Sequence, residues 1–372
     1  MYQRVIFKYI KSSFFKAKLV LLIGARQVGK TTLLKELIAS QDSKRVLSFN
    51  CDYLDDRDSL RHEKVRALIE KIKDKEIILI DEAQKVLDIG ETLKILVDEF
   101  KGKKQIIATG SSSINLLDEV SETLTGRKIT MNLFPLSYQE ILQSDHQIDD
   151  LLVYGSYPEV MTQGNKKEKI KLLEELSSSY LYKDVLELED IKKSSVLDKL
   201  IKLLALQIGS EISFNNLSKT LGIDIKTVEK YIQLLERAFV IKLLAPYSIG
   251  GKREITKKHK VYFMDLGIRN AVLNNYNETE FRVDKGMLWE NFLVIERMKF
   301  LKNSNIPHSL YFWRTYDGAE IDLVESRDGK LFGYEFKYQG KPRSRPKQWL
   351  EQQNASYQVI NRDNFQKFLL EL

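Results

Sequence analysis

Apolar residues fall along this chain in two rhythms. The blocks Leu19–Ile23, Glu76-Ile-Ile-Leu-Ile80 and Gln105-Ile-Ile-Ala108 have strand length and are rich in Ile, Leu and Val, which predicts strands buried on both faces. The first block leads through a glycine-containing loop to Leu33, Leu34, Leu37 and Ile38 at helical spacing, a strand–loop–helix unit. From Lys167 to Ile191 the residues Ile170, Leu173, Leu176, Tyr180 and Leu181 recur at three and four, without glycine or proline, and predict a helical lid or connector.

A denser helical pattern follows. Val196–Gln207 and Phe214–Leu221 read as helices, Gly222-Ile-Asp224 as a turn with Asp224 as helix cap, and Ile225–Phe239 as a third helix with Val228, Ile232, Leu235 and Phe239 inward. Val240–Leu244 reads as a strand entering a basic loop at 250–260, which completes a winged-helix outline. Lys226, Thr227, Glu229, Lys230 and Gln233 fall on the outer face of the third helix, where bases would be read. Glu229 and Glu236 dilute its charge, so DNA contact and protein packing both stay open. Beyond it a helix opens at Gly286-Met-Leu-Trp-Glu290, then strands are expected at Tyr311–Arg314, within Gly318–Val324 and at Leu331–Lys337. The expected architecture is α/β, divided into a nucleotide-binding core (1–165), a helical connector (166–195), a winged helix (196–265) and a last α/β domain (266–372).

Composition narrows the class. A chain of 372 residues exceeds one ordinary domain, and 43% hydrophobic with 30% charged residues excludes a disordered chain. No apolar run approaches the roughly 20 residues of a membrane helix. Cys51 is the sole cysteine, so no disulfide can close within the chain, and four scattered histidines argue against a His/Cys zinc site. A cytoplasmic protein is expected, with no membrane partner. Residues 1–160 are balanced at 24 basic and 24 acidic side chains, so the whole excess of +7 lies beyond them. It concentrates at Lys252, Arg253, Lys257, Lys258 and Lys260, and again at Lys337, Lys341, Arg343, Arg345 and Lys347. Such clusters are either the footprint of a polyanion such as DNA or solvated loops.

The sharpest chemistry lies after the first strand. Gly24, Ala25, Arg26, Gln27, Val28, Gly29, Lys30, Thr31 and Thr32 spell G-x-x-x-x-G-K-T-T in a strand–loop–helix context, the pattern of a phosphate-cradling loop for ATP. Lys30 would reach the β- and γ-phosphates, and the Thr31 hydroxyl would ligate Mg²⁺. The second apolar block ends in Asp81-Glu82, placing two carboxylates where an open α/β sheet binds ligands. Asp81 suits the Mg²⁺ that accompanies ATP, and Glu82 suits the water that attacks the γ-phosphate. The third block runs into Thr109-Gly-Ser-Ser-Ser113. A hydroxyl there, Ser111 in first place, would sense the γ-phosphate or cap a helix.

With these segments the chain resembles the AAA+ ATPases, and within them a prokaryotic family whose ATPase module precedes a C-terminal domain of unknown function. Leu124-Thr-Gly-Arg127, Phe134-Pro-Leu136 and Gly155-Ser-Tyr-Pro-Glu159 add to the likeness, with Ser156 standing where a second glycine is expected. The resemblance implies that Arg127 approaches the γ-phosphate, within its own chain or from a neighbouring subunit. Residues alone allow that, or a surface ion pair.

The last domain resembles the restriction-endonuclease-like PD-(D/E)xK fold through Glu290 on a helix, Asp322 on a strand and Glu335-Phe-Lys337 on the next, without the preceding proline. Glu335 and Lys337, two apart, share one strand face. With Asp322 and Glu290 they form a candidate second metal site of a nuclease, although solvated carboxylates on strands and an inactive copy of the fold give the same pattern. The leading functional expectation is a Mg²⁺-dependent ATPase whose nucleotide state controls the C-terminal module, with DNA as a partner. The alternative is a slow-turnover ATP-gated switch in which that module is a non-catalytic surface for a protein partner.

Overall fold

Five short strands, β1 (Leu19–Ile23), β2 (Val46–Asn50), β3 (Ile77–Asp81), β4 (Gln105–Gly110) and β5 (Lys128–Asn132), line up in parallel in the order β2-β3-β4-β1-β5. In the computed structural model the fold is described for residues 2–39, 42–111, 123–144, 146–187, 194–247, 258–315, 318–340, 346–351 and 354–372, leaving aside the side chains of residues 43, 179–187 and 194. The chain divides into two units, Met1–Phe134 with the segments Glu187–Asp190 and Arg237–Phe239, and Pro135–Leu186 with Ile191–Glu236 and Val240–Leu372.

The parallel sheet belongs to the first unit. Every residue of β1, β3 and β4 is buried, whereas β2 and β5 at the edges are mostly half-exposed. This is why the three central strands are apolar apart from Gln105, Thr109 and Asp81 at their ends: parallel crossovers cover both faces. Leu21, Ile23, Ile78, Ile80 and Ile106 pack with Leu93, Leu96 and Val97 of the helix Ile89–Phe100. Each fully buried aliphatic contributes about 1.5–3 kcal/mol relative to exposure. The parallel arrangement brings the C-terminal ends of all five strands to one edge. Because β4 lies between β1 and β3, its last residues are interposed between the loop after β1 and the carboxylates ending β3.

A mixed seven-stranded sheet organises the second unit. β6 (Glu211–Ser213), β7 (Ile241–Pro246), β8 (Lys258–Phe263), β9 (Ser309–Arg314), β10 (Glu320–Arg327), β11 (Lys330–Phe336) and β12 (Ala355–Ile360) run in the order β12-β11-β10-β9-β7-β8-β6. The parallel pairing of β7 with β9 makes one sheet of strands that sequence reading assigned to two domains. The connector helix spans Lys166–Glu187. The helices Ser194–Leu206, Phe214–Leu221 and Ile225–Arg237 follow where periodicity placed them, and the Asp224 carboxylate accepts the Thr227 N–H at 2.9 Å. Lys258 and Lys260, expected in a loop, lie in β8, while Lys252, Arg253 and Lys257 lie outside the described residues.

The first unit closes at Phe134, not at the expected residue 165, because the next segment packs into the second unit. There the Tyr138 N–H donates to Glu296, and the Ser156 N–H donates to Asp265 Oδ2 at 2.7 Å. Glu296 belongs to the helix Lys285–Asn303, which is buried on nearly all sides from Leu288 onward. Its buried charges are paired: Arg297 with Glu325 at 2.7 Å and Lys299 with Glu296 at 2.7 Å. Paired burial of this kind lets so charged a helix occupy a core.

Asp284, the cap residue of that helix, receives the buried guanidiniums of Arg269 (2.7 Å) and Arg282 (2.8 Å). Burial pushes its carboxyl up, but hydrogen bonds from Arg282 and Arg269 outweigh burial and bring its pKa down from 3.8 to about 2. The stabilisation is therefore present above pH 3.8 and lost as pH falls through about 2. Asp284→Asn is expected to destabilise the second unit at pH 7 by about 3–5 kcal/mol, because it leaves two buried cations short of charge. Denaturant melts of both proteins should converge as pH drops through that window; a gap that persists unchanged would refute the assignment.

Candidate functional site

The loop after β1 is shaped by two glycines for two different reasons. A Cβ on Gly24 would lie 2.1 Å from the Leu133 carbonyl oxygen, so the backbone approaches too closely for any side chain. Gly29 has open space around its Cα but adopts φ +97°, which side-chain-bearing residues avoid. Gln27 between them is also left-handed, at φ +60°. Ala25 and Val28 are buried, Arg26 is half-buried, and Thr32 is exposed in the first turn of the helix Lys30–Ala39. Lys30 is itself buried, its ammonium donating to the carbonyls of Gly24 (3.0 Å) and Ala25 (2.9 Å). The loop is therefore curled around a lysine whose donors are held at its centre.

Asp81 at the end of β3 is 8% exposed and accepts two hydroxyl donors. Thr31 Oγ1 donates to its Oδ2 at 2.7 Å, and Thr109 Oγ1 donates to its Oδ1. The Thr109 oxygen in turn accepts the N–H of Glu82 at 3.1 Å. One hydroxyl from the interposed strand β4 thus fixes both acidic residues. Glu82 sits at φ +56°, a strained backbone of the kind that collects at functional sites. The Gln84 amide donates both to Glu82 Oε2 (2.7 Å) and to Ser111 Oγ (2.7 Å), tying the second carboxylate to the serine after β4.

Ser111, Asp81, Glu82, Lys30 and Thr31 are thus gathered at one sheet edge. Arg127 is not among them. It precedes β5, which runs parallel to β1, and its carbonyl accepts the Leu19 N–H at the start of β1. Four residue steps of strand, about 13 Å, separate that level from the loop after Ile23. The Arg127 side chain instead pairs with Asp98 at 2.6 Å, so the expected approach to the γ-phosphate within its own chain is corrected by strand direction. Thr109 falls among the hydroxyls expected to sense phosphate, but its side chain holds Asp81 and Glu82 instead, and no role is expected of Gln84 from sequence. Their signal was present in the segments Leu79–Gln84 and Thr109–Ser112, but the roles depend on β4 lying between β1 and β3.

The second candidate site has a different character. Glu290 and Asp322 do come together, but around Lys260, whose ammonium is 3.0 Å from Glu290 Oε1 and 3.4 Å from Asp322 Oδ1. Glu335 and Lys337 pair with each other at 2.8 Å, and the Tyr357 hydroxyl donates to Glu335. Burial pushes the Glu290 carboxyl up to about 7 despite Lys260, with Asp322 adding to the rise, and burial also raises Asp322. Burial works against the Lys260 ammonium, but Glu290, Tyr262, Asp322 and Glu320 around it hold its pKa well above the ordinary lysine value. Lys260 is therefore no part of an exposed basic patch, and exposed Lys258 faces Glu211 at 3.6 Å. No group of three or more His, Cys, Asp or Glu residues among the described residues is placed to hold a metal ion.

Comparison with known families decides the class of the first unit. Residues 16–142 match the model of the AAA domain. The chain carries an AAA-type ATPase domain. Residues 145–279 match a domain of unknown function (DUF8612), and residues 285–368 match another (DUF4143). An uncharacterized protein of Mycobacterium bovis is 27% identical over 336 residues, 90% of this chain and 73% of the relative. One from Haemophilus influenzae is 26% identical, over 83% of this chain and 79% of its own length. Among solved structures, a Pif1 helicase from Candida albicans is 17% identical over 48% of each chain, with a TM-score of 0.29. No helix among the described residues is long and apolar enough to cross a membrane.

The loop geometry yields a test of its own. Gly24→Ala forces a methyl group against the backbone of Leu133, whereas Gly29→Ala meets no atom and costs about 1–2 kcal/mol of left-handed strain. Thermal melts should show Gly24→Ala as the more destabilised of the two; equal melting temperatures would contradict this account of the loop.

Proposed function

We propose that the first unit binds ATP with Mg²⁺ at the loop Gly24–Thr32 and hydrolyses it, and that the second unit reports nucleotide state to a protein partner without cutting nucleic acid. The observation that carries the reading is the carboxylate of Asp81 held by hydroxyls from Thr31 and Thr109, which unites the loop after β1 with the ends of β3 and β4. Thr31 and Asp81 present oxygens of the kind Mg²⁺ favours, directly or through water. The ion would neutralise charge on the β- and γ-phosphates.

The remaining work falls to the chain's own residues. Lys30 exchanges the carbonyls of Gly24 and Ala25 for phosphate oxygens, and the loop N–H groups with the helix N-terminus add partial positive charge. Glu82 orients the attacking water and takes its proton. Gln84 acts on Glu82 as the third group that orients a base, leaving one carboxylate oxygen for the water, and Ser111, which accepts from the same amide nitrogen, would sense the γ-phosphate.

A winged-helix reading of residues 194–263 is supported by its helix–strand–helix–helix–strand–strand order, and a nuclease-like reading of the last part by the strand positions of Asp322 and Glu335. The protein-docking alternative is favoured over DNA by a specific observation. The described cations of β7 and β8 already face carboxylates: Lys242 pairs with Glu236, Lys258 with Glu211, and Lys260 is buried. A paired cation releases few counterions from DNA, so it adds little affinity.

Three variants test the mechanism. Lys30→Ala should weaken ATP binding by roughly 10- to 100-fold through loss of charge-assisted hydrogen bonds. Glu82→Gln should keep binding and lower hydrolysis by about 10²–10⁴-fold. Gln84→Ala should lower kcat about tenfold through loss of base orientation, with KM nearly unchanged. Fluorescent-nucleotide titration and phosphate release distinguish these effects, and wild-type turnover in Glu82→Gln would refute its role.

A further inference from the structure

Four residues of the second unit, Glu290, Asp322, Glu335 and Lys337, have the types and order of a nuclease metal site. Their surroundings do not fit one. Lys260 enters from β8 and places its ammonium 3.0 Å from Glu290 Oε1, 2.6 Å from Glu320 Oε1 and 3.4 Å from Asp322 Oδ1. An ammonium carries three N–H donors, and here three carboxylates from two elements face them. The lysine side chain is only 3% exposed.

Two further lone pairs of these carboxylates are taken. The Tyr262 hydroxyl donates to Glu290 Oε1 at 2.8 Å, and the Phe336 N–H donates to Asp322 Oδ2 at 2.8 Å. Glu335, the third expected carboxylate ligand, is occupied by Lys337 and Tyr357. A magnesium-sized ion would need the oxygens of Glu290 and Asp322 at about 2.1 Å. It would then sit within a few ångströms of a buried ammonium, where like charges repel strongly. Metal and lysine therefore compete for one place, and the chain supplies the lysine.

We propose that the Lys260 ammonium is the resident cation of the Glu290–Glu320–Asp322 cluster, taking the position of a divalent ion, so that this nuclease-like module is held together by an internal charge and needs no metal. The inference deepens the non-cleaving reading of the second unit and is independent of the nucleotide site.

The test uses the full chain without nucleotide, titrated with Mn²⁺ and followed by electron paramagnetic resonance of the free ion. The wild type should show no saturable site tighter than about 1 mM, the weak end of protein carboxylate sites, and its melting temperature should not move with Mn²⁺ or chelator. Lys260→Met removes the charge and leaves three carboxylates facing one another. It should melt lower, gain one saturable Mn²⁺ that raises its melting temperature, and lose that ion when Asp322→Asn is added. One Mn²⁺ per wild-type chain, lost in Asp322→Asn but kept in Asp81→Asn, would overturn the proposal. A Lys260→Met chain as stable as wild type and still without Mn²⁺ would overturn it as well. If Lys260→Met does not fold, the wild-type and Asp322→Asn titrations alone decide.

Discussion

Asp81 is the point on which the arrangement at the sheet edge of the first unit depends. Its carboxylate lies at the end of a strand buried on both faces, and its two oxygens are claimed by hydroxyls from two other segments. A nearly buried carboxylate tolerates that position only with charge-assisted partners. Each partner arrives because of the sheet order. Thr31 opens the helix after β1, Thr109 ends β4, and β4 runs between β1 and β3. If β4 were not paired with β3, Thr109 could not hold Asp81 and Glu82 together.

How much of this was legible in the sequence follows from where each constraint acts. The loop Gly24–Thr32 is local, and its glycines answer to demands within a few residues or to one backbone contact, so the motif was readable. The central strands were readable because burial on both faces confines their polar residues, Asp81, Gln105 and Thr109, to the strand ends. β2 and β5 escaped notice because a half-exposed edge strand mixes polar and apolar residues. Thr109 and Gln84 act through strand order, which a linear pattern does not contain. Arg127 was drawn toward the phosphate by family likeness, while the direction of β5 keeps it at the opposite edge, paired with Asp98.

In the second unit the sequence showed charges but not their partners. Lys260 lies in a run of cations that resembles a polyanion footprint, yet burial deepens along β8 from exposed Lys258 and sets Lys260 in the core, against carboxylates 30 to 62 positions away. Arg297 and Glu325, 28 positions apart, are likewise invisible as a pair until the helix Lys285–Asn303 is laid on the sheet. Net charge counts such residues as surface. The fold uses them as core, where paired ions fix one arrangement of strands and helix at the cost of desolvation.

The central claim is that Thr31 and Asp81 belong to one Mg²⁺-ATP site assembled across the sheet. A double-mutant cycle on Thr31→Val and Asp81→Asn, read as the affinity for ATP with and without Mg²⁺, tests it most directly. The account predicts that with Mg²⁺ the two losses are non-additive, with a coupling of about 1 kcal/mol or more, and that the coupling shrinks when Mg²⁺ is withheld. Additive losses that are indifferent to Mg²⁺ would contradict it.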